Sequence, residues 1–235
     1  MTFAPTTRQK SPLRNIFDHD FLMMHELQKM ITAALGEVHG IVLDVGCGHQ
    51  PYRRWIKSDV TYVGIDIDST DSTPTIVSNS MRLPFQANTF DSAICFEVLE
   101  HVSNPFVVVN EIARVLQPGG ILLLSTPQSW RLHEAPYDYF RYTRFGLQHI
   151  VQESGLNVEH IIPIGGVWSH VAQTSLNAWP HHQLGRFLNP AIALTNVVFY
   201  SLNKLWHDTR DPLGHLLIAH KATEQQLLHN VHYNI

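Results

Sequence analysis

The segment Val42-Leu43-Asp44-Val45-Gly46-Cys47-Gly48 places an acid two residues before a Gly-x-Gly turn. Two such glycines at the end of a buried strand let the backbone bend sharply and lie close to a ligand. Asp66, twenty residues after Gly46, closes the run Tyr62-Val63-Gly64-Ile65-Asp66 and is followed by Ile67. An acid there can accept two hydrogen bonds from the hydroxyls of a ribose. Both halves of a nucleoside-binding crevice are therefore expected, in order and at the right spacing. A second concentration of reactive side chains follows Ser125-Thr126-Pro127: His133, Glu134 and Asp138, with Arg131, Arg141, Tyr137, Tyr139 and Tyr142. A loop after a strand's carboxyl end faces the ligand crevice. His133 is the first candidate for a general base, with Asp138 and His101 behind it. The competing reading is that the aromatic residues staple the loop down and Asp138–Arg141 is a local ion pair.

The charge of the turn bears on which nucleoside is bound. A dinucleotide brings a pyrophosphate and wants a third glycine, where this chain has Pro51, which lacks an N–H. Asp44 would repel a pyrophosphate and attract an ammonium group. S-adenosylmethionine carries an ammonium, a ribose and an adenine, and no phosphate, so it is the expected cofactor. An NAD-dependent oxidoreductase and a non-catalytic S-adenosylmethionine-binding protein are the alternatives.

The elements needed to hold these residues can be read from periodicity. Residues 1–19 read as an N-terminal arm and residues 20–235 as a single domain. Asp20–Leu35 has amphipathic helical spacing, stopped by Gly36. Short apolar runs at Ile41–Val45, Tyr62–Ile67, Thr75–Ser78, Ser92–Phe96 and Ile121–Ser125 read as buried parallel strands separated by helical segments. Pro105–Leu116 reads as a helix, as does the stretch from Thr143 to about Ser154; Val158–Ile164 and His215–His220 read as strands. The pattern is α/β and doubly wound, with a helical insertion at about 167–212. Between Arg186 and Lys204 the insertion has no charge but is broken by Pro190 and several Asn. Such a segment suits a lid over an apolar acceptor, a homodimer interface or a peripheral membrane contact through residues 187–202, and not a spanning helix.

With 16 Lys+Arg against 20 Asp+Glu, the net charge of −4 argues against nucleic acid as partner. Cys47 and Cys95, the two cysteines, read as small buried apolar groups. His181-His182 and the pair His215/His220 lack a matched third ligand, so no metal site is expected. No signal core or spanning segment is apparent, which makes a cytoplasmic protein the expectation.

Beyond the glycines, Ser78-Asn79-Ser80-Met81-Arg82-Leu83-Pro84-Phe85, Asn88-Thr89-Phe90-Asp91, Ala93-Ile94-Cys95-Phe96-Glu97-Val98-Leu99-Glu100-His101-Val102 and Glu111-Ile112-Ala113-Arg114-Val115-Leu116-Gln117-Pro118-Gly119-Gly120 follow in order. Over about Val42 to Gly165 the chain resembles the class I S-adenosylmethionine-dependent methyltransferases, specifically the type 11 small-molecule group. The resemblance implies a Rossmann-like seven-stranded sheet with an antiparallel last strand. It implies that Asp44, Gly46, Cys47 and Gly48 hold the methionine portion and Asp66 with Ile67 the ribose side. Asn79, Ser80 and Met81 would meet adenine, and Phe96 and Glu97 would flank the methyl donor. Asn79 stands where the family usually has Asp. The acceptor expected is a small molecule or a lipid- or glycan-linked group, with O-methylation ahead of C- or N-methylation.

Overall fold

The computed structural model describes residues 15–70, 72–179 and 189–223. Seven strands form one sheet: β1 Ile41–Val45, β2 Thr61–Asp66, β3 Ile76–Val77, β4 Phe90–Phe96, β5 Leu116–Pro127, β6 Leu156–Ile164 and β7 Gly214–Lys221. Their order across the sheet is β3-β2-β1-β4-β5-β7-β6. Strands β1 to β5 pair in parallel, while β7 lies antiparallel between β5 and β6. The Rossmann-like sheet with its antiparallel last strand is therefore present.

Alternation along β1 separates the two cores. Leu43 and Val45 face one side, where they join Phe90, Leu122 and the helices α2 (Pro105–Val115) and α3 (Arg144–Glu153). Val42 faces the other side, with Ile94, Leu123 and α1 (Phe21–Ala34). Both α2 and α3 start at capping residues that satisfy an orphan amide: Asn104 Oδ1 accepts from Val107 N and Thr143 Oγ1 from Gly146 N.

One expectation, that helical segments separate the strands throughout, is corrected by the structure. No α-helix connects β1 to β2. A single 3-10 turn, Arg53–Trp55, stands there, because the chain passes through Gln50 at φ 54° and then Pro51. Residues 15–19, the described part of the N-terminal arm, are hydrogen-bonded to the domain. Asn196 Nδ2 donates to the carbonyls of Ile16 and Asp18, and Gln173 Nε2 donates to that of His19. Those amides belong to α4 (Val167–Asn177) and α5 (Asn189–Leu205), the two helices between β6 and β7, which pack on α1 as part of the domain's second layer. Residues 1–14, and Phe187 and Leu188 of the uncharged segment, lie outside the described residues. Among the described residues no helix is long and apolar enough to cross a membrane.

Candidate functional site

Strand order defines the crevice. From β1 the chain runs outward through β2 and β3, then returns to place β4 on the other flank of β1. The carboxyl ends of β1 and β4 therefore diverge into different connections, the place where open α/β sheets bind ligands. Gly46-Cys47-Gly48 sits at one end of this crevice and Phe96-Glu97 at the other.

The turn is built by backbone strain that only glycine takes easily. Gly46 has φ 71° and Gly48 φ 50°, and Gly46 N and Cys47 N both donate to the Ile65 carbonyl. A Cβ at Gly46 would stand 2.5 Å from Val98 Cγ2. Gly46→Ala is expected to cost about 1–2 kcal/mol from the left-handed backbone alone, with the Val98 clash added. A lowered melting temperature together with weakened ligand binding would report it.

Asp66 Oδ2 accepts from Gly48 N at 2.9 Å, and Oδ1 accepts from Ile67 N at 2.8 Å. One carboxylate thus pins the glycine turn to the end of β2 and keeps a second lone pair on each oxygen for a ligand. Ile67 beside it is 71% exposed, an apolar surface that no protein residue covers among the described ones. Asn79 Oδ1 accepts from Met81 N and closes the turn after β3, with Met81 packed against the core.

Asp44 is nearly fully buried, and Tyr62 Oη donates to its Oδ2 at 2.5 Å. Burial pushes its carboxyl up to about 7, against the lowering effect of that hydrogen bond. The turn therefore carries only part of the negative charge expected at neutral pH. Glu97 adopts φ 54° at the end of β4, and its Oε1 accepts from Ser125 Oγ at 2.8 Å. Burial raises its carboxyl to about 7 as well. The Cys47 thiol is pushed up to about 12 by burial and by Asp44, so it stays protonated and inert, as a small apolar group would. Phe96 is buried edge-on against Tyr52, 5.3 Å between ring centres.

The loop after β5 is held by one ion pair. Arg141 donates through Nη1 and Nη2 to both oxygens of Asp138, and further to the carbonyls of Trp130, Arg131 and Phe140. The guanidinium holds the Asp138 carboxyl below its usual range, which makes it a poor proton acceptor and a good anchor. Asp138 Oδ2 also accepts from His133 N and meets His133 Nδ1 at 3.2 Å. His133 Nε2 lies 3.1 Å from His101 Nε2, and His101 Nδ1 lies 3.1 Å from the Tyr137 carbonyl. All three candidate catalytic residues are thus brought into one cluster, with His133 Nδ1 turned to Asp138 and its Nε2 turned to His101. Glu100 is fully buried beside His101.

One arrangement has no signal in the sequence. His170 on α4 reaches Asp211 Oδ2 through Nδ1 at 2.8 Å and Ser129 Oγ through Nε2 at 2.7 Å. His170 and Asp211 line a cavity of about 270 Å³. Residue 129 comes from the β5–β6 connection and residues 170 and 211 from opposite ends of the β6–β7 connection, and only folding joins them.

Comparison with known proteins agrees with this architecture. A family profile described as "Methyltransferase domain" matches residues 18–161. The chain belongs to that family. An uncharacterized protein of Methanocaldococcus jannaschii is 32% identical over 110 residues, 45% of this chain and 48% of its own length. The ubiquinone biosynthesis O-methyltransferase of Xanthomonas oryzae pv. oryzae is 30% identical over 115 residues, 41% of this chain and 46% of its own. The matched region thus spans just under half the length of these curated relatives. Among solved structures, phosphoethanolamine N-methyltransferase 2 of Haemonchus contortus, in complex with S-adenosyl-L-methionine, superposes with TM-score 0.54 at 15% identity, covering 89% of this chain and 57% of that one. The [4+2]-cyclase SpnF superposes at 0.56 with 23% identity, covering 83% and 80%. At these identities the two structures share the methyltransferase domain's fold with this chain.

Proposed function

We propose that the protein binds S-adenosylmethionine across the carboxyl ends of β1, β2 and β4 and transfers its methyl group to a hydroxyl of a small, or lipid- or glycan-linked, acceptor. One observation carries the reading. The Gly46–Gly48 turn lies beside the carboxyls of Asp44 and Asp66 and leads into a 3-10 turn, not an α-helix. A pyrophosphate cofactor needs the N-terminus of a helix at that place, and it would meet acidic groups instead. A donor with an ammonium and a sulfonium fits the same acidic lining. Isothermal titration of the purified protein with S-adenosylmethionine and, separately, NADH tests the choice: heat with NADH alone would overturn it.

S-adenosylmethionine supplies an electrophilic methyl group on sulfur. The protein's residues align it with the acceptor and exclude water, which accounts for several kcal/mol of barrier. Asp66 holds the ribose side, Ile67 and Met81 border the adenine side, and Glu97 closes the end of β4. The loop 128–143, clamped by Arg141, forms the acceptor side and presents the His101–His133 pair. A hydroxyl acceptor is supported by that pair and by the O-methyltransferase named among the relatives.

The raised carboxyl of Asp44 gives a pH dependence with a defined sign. Below about 7 it is neutral and offers no charge to the ligand's ammonium; above it, the carboxylate attracts it. Affinity for S-adenosylmethionine is expected to rise between pH 6 and 8, by up to about tenfold per pH unit over the steepest part. In Asp44→Asn the profile should flatten. A wild-type affinity that falls over this range would contradict the assignment.

A further inference from the structure

We infer that Glu100, His101 and His133 form a binding site for one divalent transition-metal ion beside the acceptor loop. Their ligand atoms, a carboxylate oxygen and two imidazole nitrogens, all lie within 4.8 Å of one another. His101 Nε2 is 3.1 Å from His133 Nε2 and 3.7 Å from Glu100 Oε1. A tetrahedral ion with metal–nitrogen distances of about 2.0–2.1 Å sets its ligands roughly 3.3–3.5 Å apart, between these two separations.

The hydrogen bonds on the far sides of the rings decide what the near sides can do. His101 Nδ1 faces the Tyr137 carbonyl, which can only accept, so that nitrogen carries the proton. His133 Nδ1 faces Asp138 Oδ2, a carboxylate oxygen already taken by Arg141, and it too must donate. In two neutral rings both Nε2 atoms are then lone pairs pointing into the same space. Glu100 adds a third acceptor: its side chain is fully buried and neither oxygen has a hydrogen-bond partner. Three groups able to offer a lone pair converge there, and a bound cation would satisfy all three.

Each histidine also has the outer partner that metal-bound imidazoles use to set their orientation, a carbonyl for His101 and a carboxylate for His133. Two imidazoles and one carboxylate favour zinc and its neighbours over magnesium or calcium, which take all-oxygen shells. Three protein ligands leave a coordination position open, as in catalytic sites. The exposed carboxylate of Glu134 stands 3.8 Å from His101 Nε2, at the mouth of the cluster.

The role of the open position rests on the methyltransferase reading. An acceptor hydroxyl bound there would lose its proton to solvent near neutral pH, as metal-bound water does. Its oxygen would form the new bond to the methyl carbon while the carbon–sulfur bond breaks, its electron pair leaving with sulfur. The acceptor class this predicts is a phenol or an enol-like hydroxyl, whose oxygen can bind a metal as an anion.

The test uses the full chain stripped with chelator, then titrated with Zn²⁺ by calorimetry and by metal analysis after gel filtration. One equivalent per chain is expected in the wild type. That equivalent should vanish, or bind at least a hundredfold more weakly, in Glu100→Gln and in His133→Ala. His149→Ala, an exposed histidine elsewhere, should bind as the wild type does. His133 lies on a loop and is partly exposed, so its alanine variant remains informative if Glu100→Gln fails to fold. Failure to bind Zn²⁺, or equal binding by the wild type and His133→Ala, would overturn the site and leave a proton shared between the two rings. S-adenosylmethionine binding, measured on the same samples, reports the methyltransferase reading independently.

Discussion

Asp66→Ala is expected to weaken S-adenosylmethionine binding by about a hundredfold or more. The carboxylate offers acceptors to two ribose hydroxyls, and hydrogen bonds to a charged group contribute about 1.5–3 kcal/mol each. The same substitution removes the acceptor that pins Gly48 N at 2.9 Å, so the glycine turn also loses its tie to β2. Asp66→Asn keeps one oxygen for either duty and should lose roughly tenfold. Because Asp66 is at a strand end and half-buried, both variants should fold, which circular dichroism would check. Calorimetry finding the alanine variant within about fivefold of wild type would remove Asp66 from the binding site.

Arg141→Ala is the largest expected effect on stability. Asp138, whose side chain is 1% exposed, would be left as a buried carboxylate facing no cation. Breaking a buried pair from one side costs about 3–5 kcal/mol, and the partly exposed guanidinium puts this case near the lower end. A melting temperature lower by roughly 6–12 °C is expected for a chain of this size. The carbonyls of Trp130, Arg131 and Phe140 lose their donor at the same time, so the loop that presents His133 should loosen. Turnover should therefore fall further than S-adenosylmethionine affinity, since the glycine turn is on another connection. The double variant Arg141→Leu with Asp138→Leu should recover much of the stability without recovering turnover. If the single substitution leaves the melting temperature within 2 °C, the clamp is not what holds the loop.

Much of the cofactor side could be read from residue order because it depends on short-range rules. Gly46-Cys47-Gly48 must bend after a buried strand, and Asp66 must close the next one, since a strand's end is where its side chains meet the crevice. The helix boundaries at Asn104 and Thr143 follow from capping chemistry, which acts within three residues. Charge state was not legible in the same way. Asp44 is an acid in sequence, but its burial on the α1 face of β1 raises its carboxyl to about 7. Desolvation is a property of everything packed around a group, which composition and spacing do not carry.

The acceptor side shows the same division more sharply. His101, His133 and Asp138 could each be named as candidates from their places after β4 and β5, yet the contacts that join them could not. Glu100 could not be told from a solvated edge, because one turn of 3-10 helix decides whether its side chain points in or out. Ser129, His170 and Asp211 meet only because α4 and the β7 approach pack over the end of β5. The order of residues was enough for the sheet, the glycine bend and the acid that closes it, because local backbone chemistry and hydrophobic alternation specify them. The buried carboxyls, the paired imidazoles and the clamp of Arg141 on Asp138 arise from contacts between segments far apart in the chain, and those exist only once the layers have closed on one another.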